Sequence, residues 1–175
     1  MINRHPYIHV YTGNGKGKTT AALGVSLRYL GHGGRVFFAS FLKGQECGES
    51  RLCSTLSERM TYRQYGQASF VRSVTEKDEQ LVNQGLYEIS QTIQQATDPF
   101  GLLVLDEIHH LFSLNLLTQS SFLQFLHDLS SVDDIICTGR SAPSFLREMA
   151  AVVTSMECEK HYFSRGISAR KGVDY

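Results

Sequence analysis

The sequence predicts a single α/β domain, built as a mainly parallel sheet flanked by helices. Three observations predict it. Short apolar, strand-like runs alternate with helical patterns from end to end, as strand–helix–strand units do. The first run leads through a glycine-rich loop directly into a helix. And the 175 residues, 42% apolar and 19% charged, suit one domain with a full core, spanning 1–175 without linker, repeat or low-complexity segment.

Each element follows from local signals. Ile8 to Tyr11 is a short apolar strand, and Ala21 to Leu30 the helix after the loop. Gly31-His32-Gly33-Gly34 ends that helix with residues suited to a left-handed cap. Val36 to Ala39 reads as a buried strand, and Lys43-Gly44 with Gly48-Glu49 as a loop before a short helix near Ser50 to Leu56. Thr61 to Tyr65 alternates weakly, as an edge strand would. Thr75-Glu76-Lys77-Asp78 resembles a capping box, with Asp78 where Glu or Gln is usual. It opens a long helix whose Leu81, Val82, Leu86, Ile89 and Ile93 recur at helical spacing, stopped by Asp98-Pro99 and Gly101. Leu102 to Leu105 and Ile135 to Cys137 are the next strands, with helical patterns between them and after Pro143. Val152-Val153-Thr154 is the last strand, followed by a glycine-containing tail.

The run Tyr11-Thr12-Gly13-Asn14-Gly15-Lys16-Gly17-Lys18-Thr19-Thr20 carries the most chemistry. Three glycines let the backbone turn tightly and aim successive N–H groups at an anion. The following helix adds its unpaired N–H groups and the positive end of its dipole. Lys18 can reach terminal phosphates, and the Thr19 hydroxyl is placed to ligate Mg²⁺. Gly13, Asn14, Gly15, Lys16, Gly17, Lys18, Thr19 and Thr20 are therefore read as nucleotide-binding. The strict pattern wants glycine at Thr12, so this is a variant. The fold expected is P-loop NTPase-like, of the RecA-like kind.

Leu102-Leu103-Val104-Leu105 ends in the paired carboxylates Asp106 and Glu107. In open parallel sheets ligands bind just outside the carboxyl ends of the strands. A carboxylate there can hold Mg²⁺ directly or through a water, so Asp106 and Glu107 join Thr19 as metal candidates, and Lys18, Thr19 and Glu107 are the catalytic ones. Arg140, in Thr138-Gly139-Arg140, should emerge on the same sheet edge, to meet phosphates or substrate or to form a surface ion pair. Glu107 and His110 have Glu-x-x-His spacing, but no second such pair exists, and packing or solvated roles are expected for His109 and His110. Glu157, Glu159 and His161 have no regular metal spacing. Tyr62, Tyr65 and Phe70 read as edge packing or as the lining of a pocket for a flat ligand, and the pattern favours packing.

Seventeen basic and seventeen acidic residues cancel, which argues against a nucleic-acid partner held by phosphate neutralisation. No apolar run reaches the ~20 residues a membrane crossing needs. Four cysteines lack paired spacing, Cys137 reads as a small core hydrophobe, and the N-terminus lacks a secretory build; a reduced, cytoplasmic protein is expected.

With these residues in place, the chain resembles the P-loop ATP:corrinoid adenosyltransferases, which act on cob(I)alamin or cob(I)yrinic acid a,c-diamide. The resemblance covers nearly all of it. It runs from Thr12 through Ala22, then Arg28 with Gly31-His32-Gly33, Phe41-Leu42-Lys43-Gly44, Gly48-Glu49, Val104 to Glu107 and Thr138-Gly139-Arg140. It closes with Lys160-His161, Gly166-Ile167 and Gly172-Val173-Asp174-Tyr175. Thr12 in the glycine's place is how that family writes its loop. The resemblance implies attack of a Co(I) corrinoid on the 5′-carbon of ATP, with ATP bound in reversed direction and inorganic triphosphate leaving. It implies Mg²⁺ on Thr19 and Glu107, Arg28 near the nucleoside, Phe70 facing the corrinoid, a homodimer, and electrons from a flavoprotein or reduced flavin.

The chain also departs from that family. Where the family places Phe-x-Trp, it reads Phe70-Val71-Arg72 and it has no tryptophan; the family's glutamines become Ser40 and Arg170. The N-terminal arm that some members of that family carry is not expected here. A RecA-like ATPase in which Glu107 activates water, and a nucleotide- or corrinoid-binding regulator without turnover, are the alternatives. If the loop works as in its relatives, Arg72→Trp should raise activity on cobalamin; steady-state rates with cobalamin check this, and no gain means Arg72 is adapted to another corrinoid.

Overall fold

In a computed structural model, which describes residues 6–56, 58–67, 74–129 and 131–174, the chain folds as one α/β domain. Strands β1 (Tyr7–Thr12), β2 (Val36–Phe41), β3 (Met60–Tyr65), β4 (Leu102–Asp106), β5 (Asp134–Thr138) and β6 (Val152–Ser155) form one sheet. Their order is β3-β2-β4-β5-β1-β6, and every pairing is parallel. The expected P-loop NTPase-like architecture is borne out, with β3 at an edge as its weak alternation predicts.

The sheet separates two layers of core, because side chains alternate across a strand. On one face Leu103 and Leu105 pack with Phe37, Ala39, Phe41, Ile135 and Cys137 under α3 (Glu76–Gln94), α4 (Ile108–Ser113), α5 (Gln119–His127) and α6 (Ser144–Met149). On the other, Leu102, Val104, Val36, Phe38 and Ile136 pack with Ala22 of α1 (Lys18–Gly31) and Cys53 of α2 (Gly48–Thr55). Both faces are covered, so β2 and β4 are buried along their whole length and read as continuous apolar runs.

Local signals set the boundaries. The Thr75–Asp78 box forms as expected: the Thr75 hydroxyl accepts from Asp78 N–H, and the Asp78 carboxylate accepts from Thr75 N–H. Val82, Ile89 and Ile93 face the core from α3. Gly33, at φ 82°, supplies the left-handed turn after α1. Cys137 is fully buried in the core, where desolvation pushes its thiol up. Tyr62 stacks on Phe38 and Tyr65 packs against Phe41, the packing that the sequence pattern favours. Phe70 and Arg72 lie outside the described residues. Among the described residues no helix is long and apolar enough to cross a membrane.

The strand order positions the site. The chain leaves β1, and α1 packs across β5 and β4 before the chain enters β2. β5 therefore stands between the strand that feeds the glycine loop and the strand that ends in Asp106. Three strand ends, Thr12, Thr138 and Asp106, lie side by side on the carboxyl edge.

Leu103→Ala should cost about 2–5 kcal/mol, as large-to-small changes at buried leucines do. Leu103 is fully buried at the centre of the sheet. Urea unfolding measures this, and a loss below about 1 kcal/mol would contradict the core described.

Candidate functional site

The glycine loop is shaped by what lies beneath it. Gly13 takes φ 92°, and a Cβ there would sit 2.4 Å from Met156 O; one on Gly15 would sit 2.6 Å from the same atom. Gly15 N–H donates to Met156 O at 2.6 Å, and Met156 N–H to Thr12 O at 2.8 Å. The segment leaving β6 thus presses directly on the loop, and only glycine fits. Gly17, at φ 110°, turns the chain into α1. Thr12, where strict loops have glycine, is buried, and its hydroxyl accepts from Ala142 N–H at 3.1 Å. The Lys18 ammonium donates across the loop to Gly13 O and Gly15 O, both at 2.7 Å. Burial pushes this lysine down from its ordinary value; Arg140 acts the same way, against the pull of Glu107 and Asp106.

Asp106 is fully buried at the end of β4, and all four of its acceptor positions are filled. Oδ1 accepts from the Thr19 hydroxyl at 2.8 Å and the Thr138 hydroxyl at 2.7 Å. Oδ2 accepts from the Lys43 ammonium at 2.7 Å and the Ser40 hydroxyl at 3.2 Å. Burial alone would lower Lys43, but the Asp106 charge outweighs it and the lysine is raised. Asp106 therefore orients Thr19 and Lys43, and has no open lone pair for direct metal contact.

Glu107 differs from its neighbour. It takes the left-handed backbone at φ 62°, a conformation uncommon outside glycine, and its N–H donates to the Thr138 hydroxyl at 3.0 Å. Its Oε2 is buried, lies 3.0 Å from His110 Nδ1, and makes no aligned hydrogen bond. Burial raises this carboxyl, yet His110, Lys43 and Lys18 together hold it below the usual range. A buried, ionised, under-satisfied carboxylate oxygen near an oriented threonine hydroxyl is the donor chemistry a hard divalent cation takes. Thr19 and Glu107 thus fit Mg²⁺, with Asp106 one hydrogen bond behind. Among the described residues no cluster of three His, Cys, Asp or Glu side chains suits a transition metal.

These groups line a cavity of about 700 Å³. Asn14, Gly15, Lys16, Gly17, Lys18, Thr19 and Thr20 form its floor, and Lys43, Glu107 and Arg140 one side. The remaining wall is the C-terminal tail, including His161, Tyr162, Phe163, Ile167, Val173 and Asp174. The tail is fastened to the loop through Lys16, which donates to Val173 O at 2.7 Å and pairs with the Asp174 carboxylate. Tyr162 OH also donates to Asp174, and Arg170 lies over the Tyr162 ring at 4.7 Å. Lys16 and Lys43 are each matched by a carboxylate of the chain, whereas Lys18 and Arg140 make no ion pair among the described residues. These two charges remain for an anion.

The residues predicted from sequence are mostly brought together. Gly13 lies at the start of the loop, and Asn14 through Thr20, Glu107 and Arg140 all line the cavity. Arg28 does not: it is exposed in the last turn of α1, about 15 Å along the helix from Lys18 at 1.5 Å per residue. His109 is buried, as expected, and His110 meets Glu107. Reading the sequence missed the separate roles of Ser40, Lys43 and Thr138 around Asp106. It also missed the tail's return; the strand-end position of Thr138 and the aromatic pair at Tyr162-Phe163 were the only signals.

Comparison with known proteins agrees with this geometry. The family described as ATP:corrinoid adenosyltransferase BtuR/CobO/CobP matches residues 4–175. A corrinoid adenosyltransferase of Pseudomonas aeruginosa is 31% identical, over 95% of this chain and 82% of the relative. One from Escherichia coli K12 is 30% identical over 96% and 85%. Another, from Salmonella typhimurium, is 29% identical over the same shares. A match across the whole domain, with the phosphate loop, the acidic strand end and the returning tail all inside it, places the chain in that family: it is a member of the ATP:corrinoid adenosyltransferases.

Proposed function

We propose that this protein transfers the 5′-deoxyadenosyl group of MgATP to the cobalt of a Co(I) corrinoid, with release of inorganic triphosphate. The observation that carries the reading is the cationic end of the cavity, which Lys18 and Arg140 both line without carboxylate partners, beside the glycine loop that opens α1. The cobalt electron pair forms the bond to C5′ and the C5′–O bond breaks. Cobalt is formally oxidised by two electrons, and the electron pair of the broken bond leaves on the triphosphate oxygen. The nucleophile belongs to the substrate, so the protein supplies position and charge.

The same loop that steadies a transferred phosphoryl group in other enzymes would here steady the leaving group. As the C–O bond breaks, negative charge grows on the triphosphate, toward Lys18, Arg140 and the positive end of α1. Thr19 and Glu107 would hold Mg²⁺, which when bound supplies further positive charge to that leaving group. ATP would lie reversed, its 5′-carbon toward the corrinoid. Phe70 is proposed to face the corrinoid and Arg28 to act near the nucleoside. A homodimer and a flavoprotein or reduced flavin as electron source complete the reading and rest on likeness to the family; a cytoplasmic setting rests on the reading of the cysteines given above. Cob(I)alamin and cob(I)yrinic acid a,c-diamide are the substrates to try.

The test is anaerobic: protein, MgATP and chemically reduced Co(I) cobalamin, followed by visible absorbance while triphosphate is assayed. A light-sensitive adenosyl-cobalt spectrum with matching triphosphate is expected. ADP and phosphate alone, formed without corrinoid, would replace this reading with an ATPase.

In the same assay Lys18→Ala should lower turnover by at least about 100-fold, because it removes a charge facing the leaving group; unchanged turnover would remove Lys18 from that role. Glu107→Gln should raise the magnesium concentration for half-maximal rate by about tenfold or more, since a neutral amide binds hard cations poorly. An unaltered magnesium titration would place the metal elsewhere.

A further inference from the structure

Beside the cavity, one buried group is not used by the chemistry above. His109, in the first turn of α4, is fully buried, and its Nδ1 lies 2.9 Å from Gly139 O. A carbonyl only accepts, so Nδ1 carries the proton and Nε2 is a bare lone pair. Nε2 is itself buried and has no partner. A leucine or phenylalanine would fill such a site without stranding an acceptor, so packing alone does not account for a histidine here.

What the bond holds is the turn after β5. Gly139, at φ 141°, has its N–H bound to Tyr11 O at 3.2 Å and its carbonyl bound to His109. A Cβ on Gly139 would come within 2.8 Å of His109 Cβ, so imidazole and turn are in close contact. Ser141 follows in the left-handed region at φ 51°, and Ala142 N–H donates to the Thr12 hydroxyl. Arg140, the exposed residue at the centre of this turn, lines the cavity. A serine at positive φ stays there only if its surroundings hold it. His109 provides the hold on the α4 side.

We propose that His109 is a positioning residue for Arg140: its Nδ1–H fixes the Gly139 carbonyl and so aims the guanidinium at the triphosphate end of the cavity. This rests on reading that end as the triphosphate site. A histidine reaches the carbonyl through Nδ1, and an asparagine amide occupies nearly the same place. A glutamine amide extends toward the position of Nε2 instead. The two substitutions therefore separate the hydrogen bond from mere volume or polarity.

Inorganic triphosphate with magnesium, titrated calorimetrically into the full chain, tests this without any corrinoid. Arg140→Gln should weaken binding about tenfold, the loss of one charge-assisted contact. His109→Gln should weaken it about five- to tenfold, His109→Asn should stay within about twofold of wild type, and His109→Gln with Arg140→Gln should bind no worse than Arg140→Gln alone. Thermal unfolding of each variant runs alongside, and if His109→Gln does not fold, the His109→Asn result decides. The inference is overturned if His109→Asn loses fivefold or more, if the His109→Gln loss persists in the Arg140→Gln background, or if wild type does not bind triphosphate. A protein that binds triphosphate with this variant pattern but transfers no adenosyl group keeps the inference and loses the functional reading.

Discussion

The carboxylate of Asp106 is the point on which the rest of the site depends. A charge with no exposure to water is costly unless every lone pair is met. Here four donors meet it, from the start of α1, the ends of β2 and β5, and the loop after β2. Each donor is thereby fixed relative to the others. Thr19 is held with its hydroxyl turned toward the acidic strand, Lys43 is drawn in over the sheet edge, and Thr138 bridges the gap that β5 opens between the loop strand and β4. The site's geometry is thus a consequence of satisfying one buried charge.

The electrostatics follow from the same arrangement. Asp106 takes up the charge of Lys43, and Asp174 takes up that of Lys16. Glu107, next in sequence, is turned away by its left-handed backbone and keeps an oxygen without an aligned donor. The result is a cavity in which some cations are already neutralised and two, Lys18 and Arg140, are not. An anion with several charged oxygens and a divalent cation would complete it, which is what a nucleoside triphosphate with its metal brings. In a half-buried site such interactions are stronger than they would be in open water.

Much of the fold was legible because most strands are short apolar runs set apart by glycine, proline or capping residues. The phosphate loop was legible because its glycines, Lys18 and Thr19 lie in one run. Asp106 and Glu107 could be placed at a strand end, but not told apart, since their difference is made by partners 32 to 87 residues away in sequence. Lys43 looked like a loop lysine, and Ser40 like a small residue in an apolar strand. Their roles appear only when β2 and β4 pair with Ser40 opposite Asp106. Arg28 illustrates the converse: sharing a helix with Lys18 and Thr19 does not bring it to the cavity, because ten residues of helix carry it away. The tail after β6 has few periodic apolar positions, so beyond the aromatic pair Tyr162-Phe163 nothing local announced that it folds back as a wall.

The departure at Thr12 ties these pieces together. Glycine at that position would leave the loop free of the neighbouring turn. Threonine instead reaches across to Ala142, two residues past Arg140, while its own backbone carbonyl is held by Met156. The phosphate loop, the turn that carries Arg140 and the start of the tail are therefore bonded to one residue. With His109 holding the other end of the turn, Arg140 is suspended between α4 and the loop itself. A loop that had to release a phosphoryl group to water would gain little from such coupling. In the reaction proposed above, a departing triphosphate would be held still while a bulky planar nucleophile approaches the 5′-carbon, which needs the loop and the opposing cation to stay in register. The threonine variant of the loop is a direct way for a short chain to fix that register.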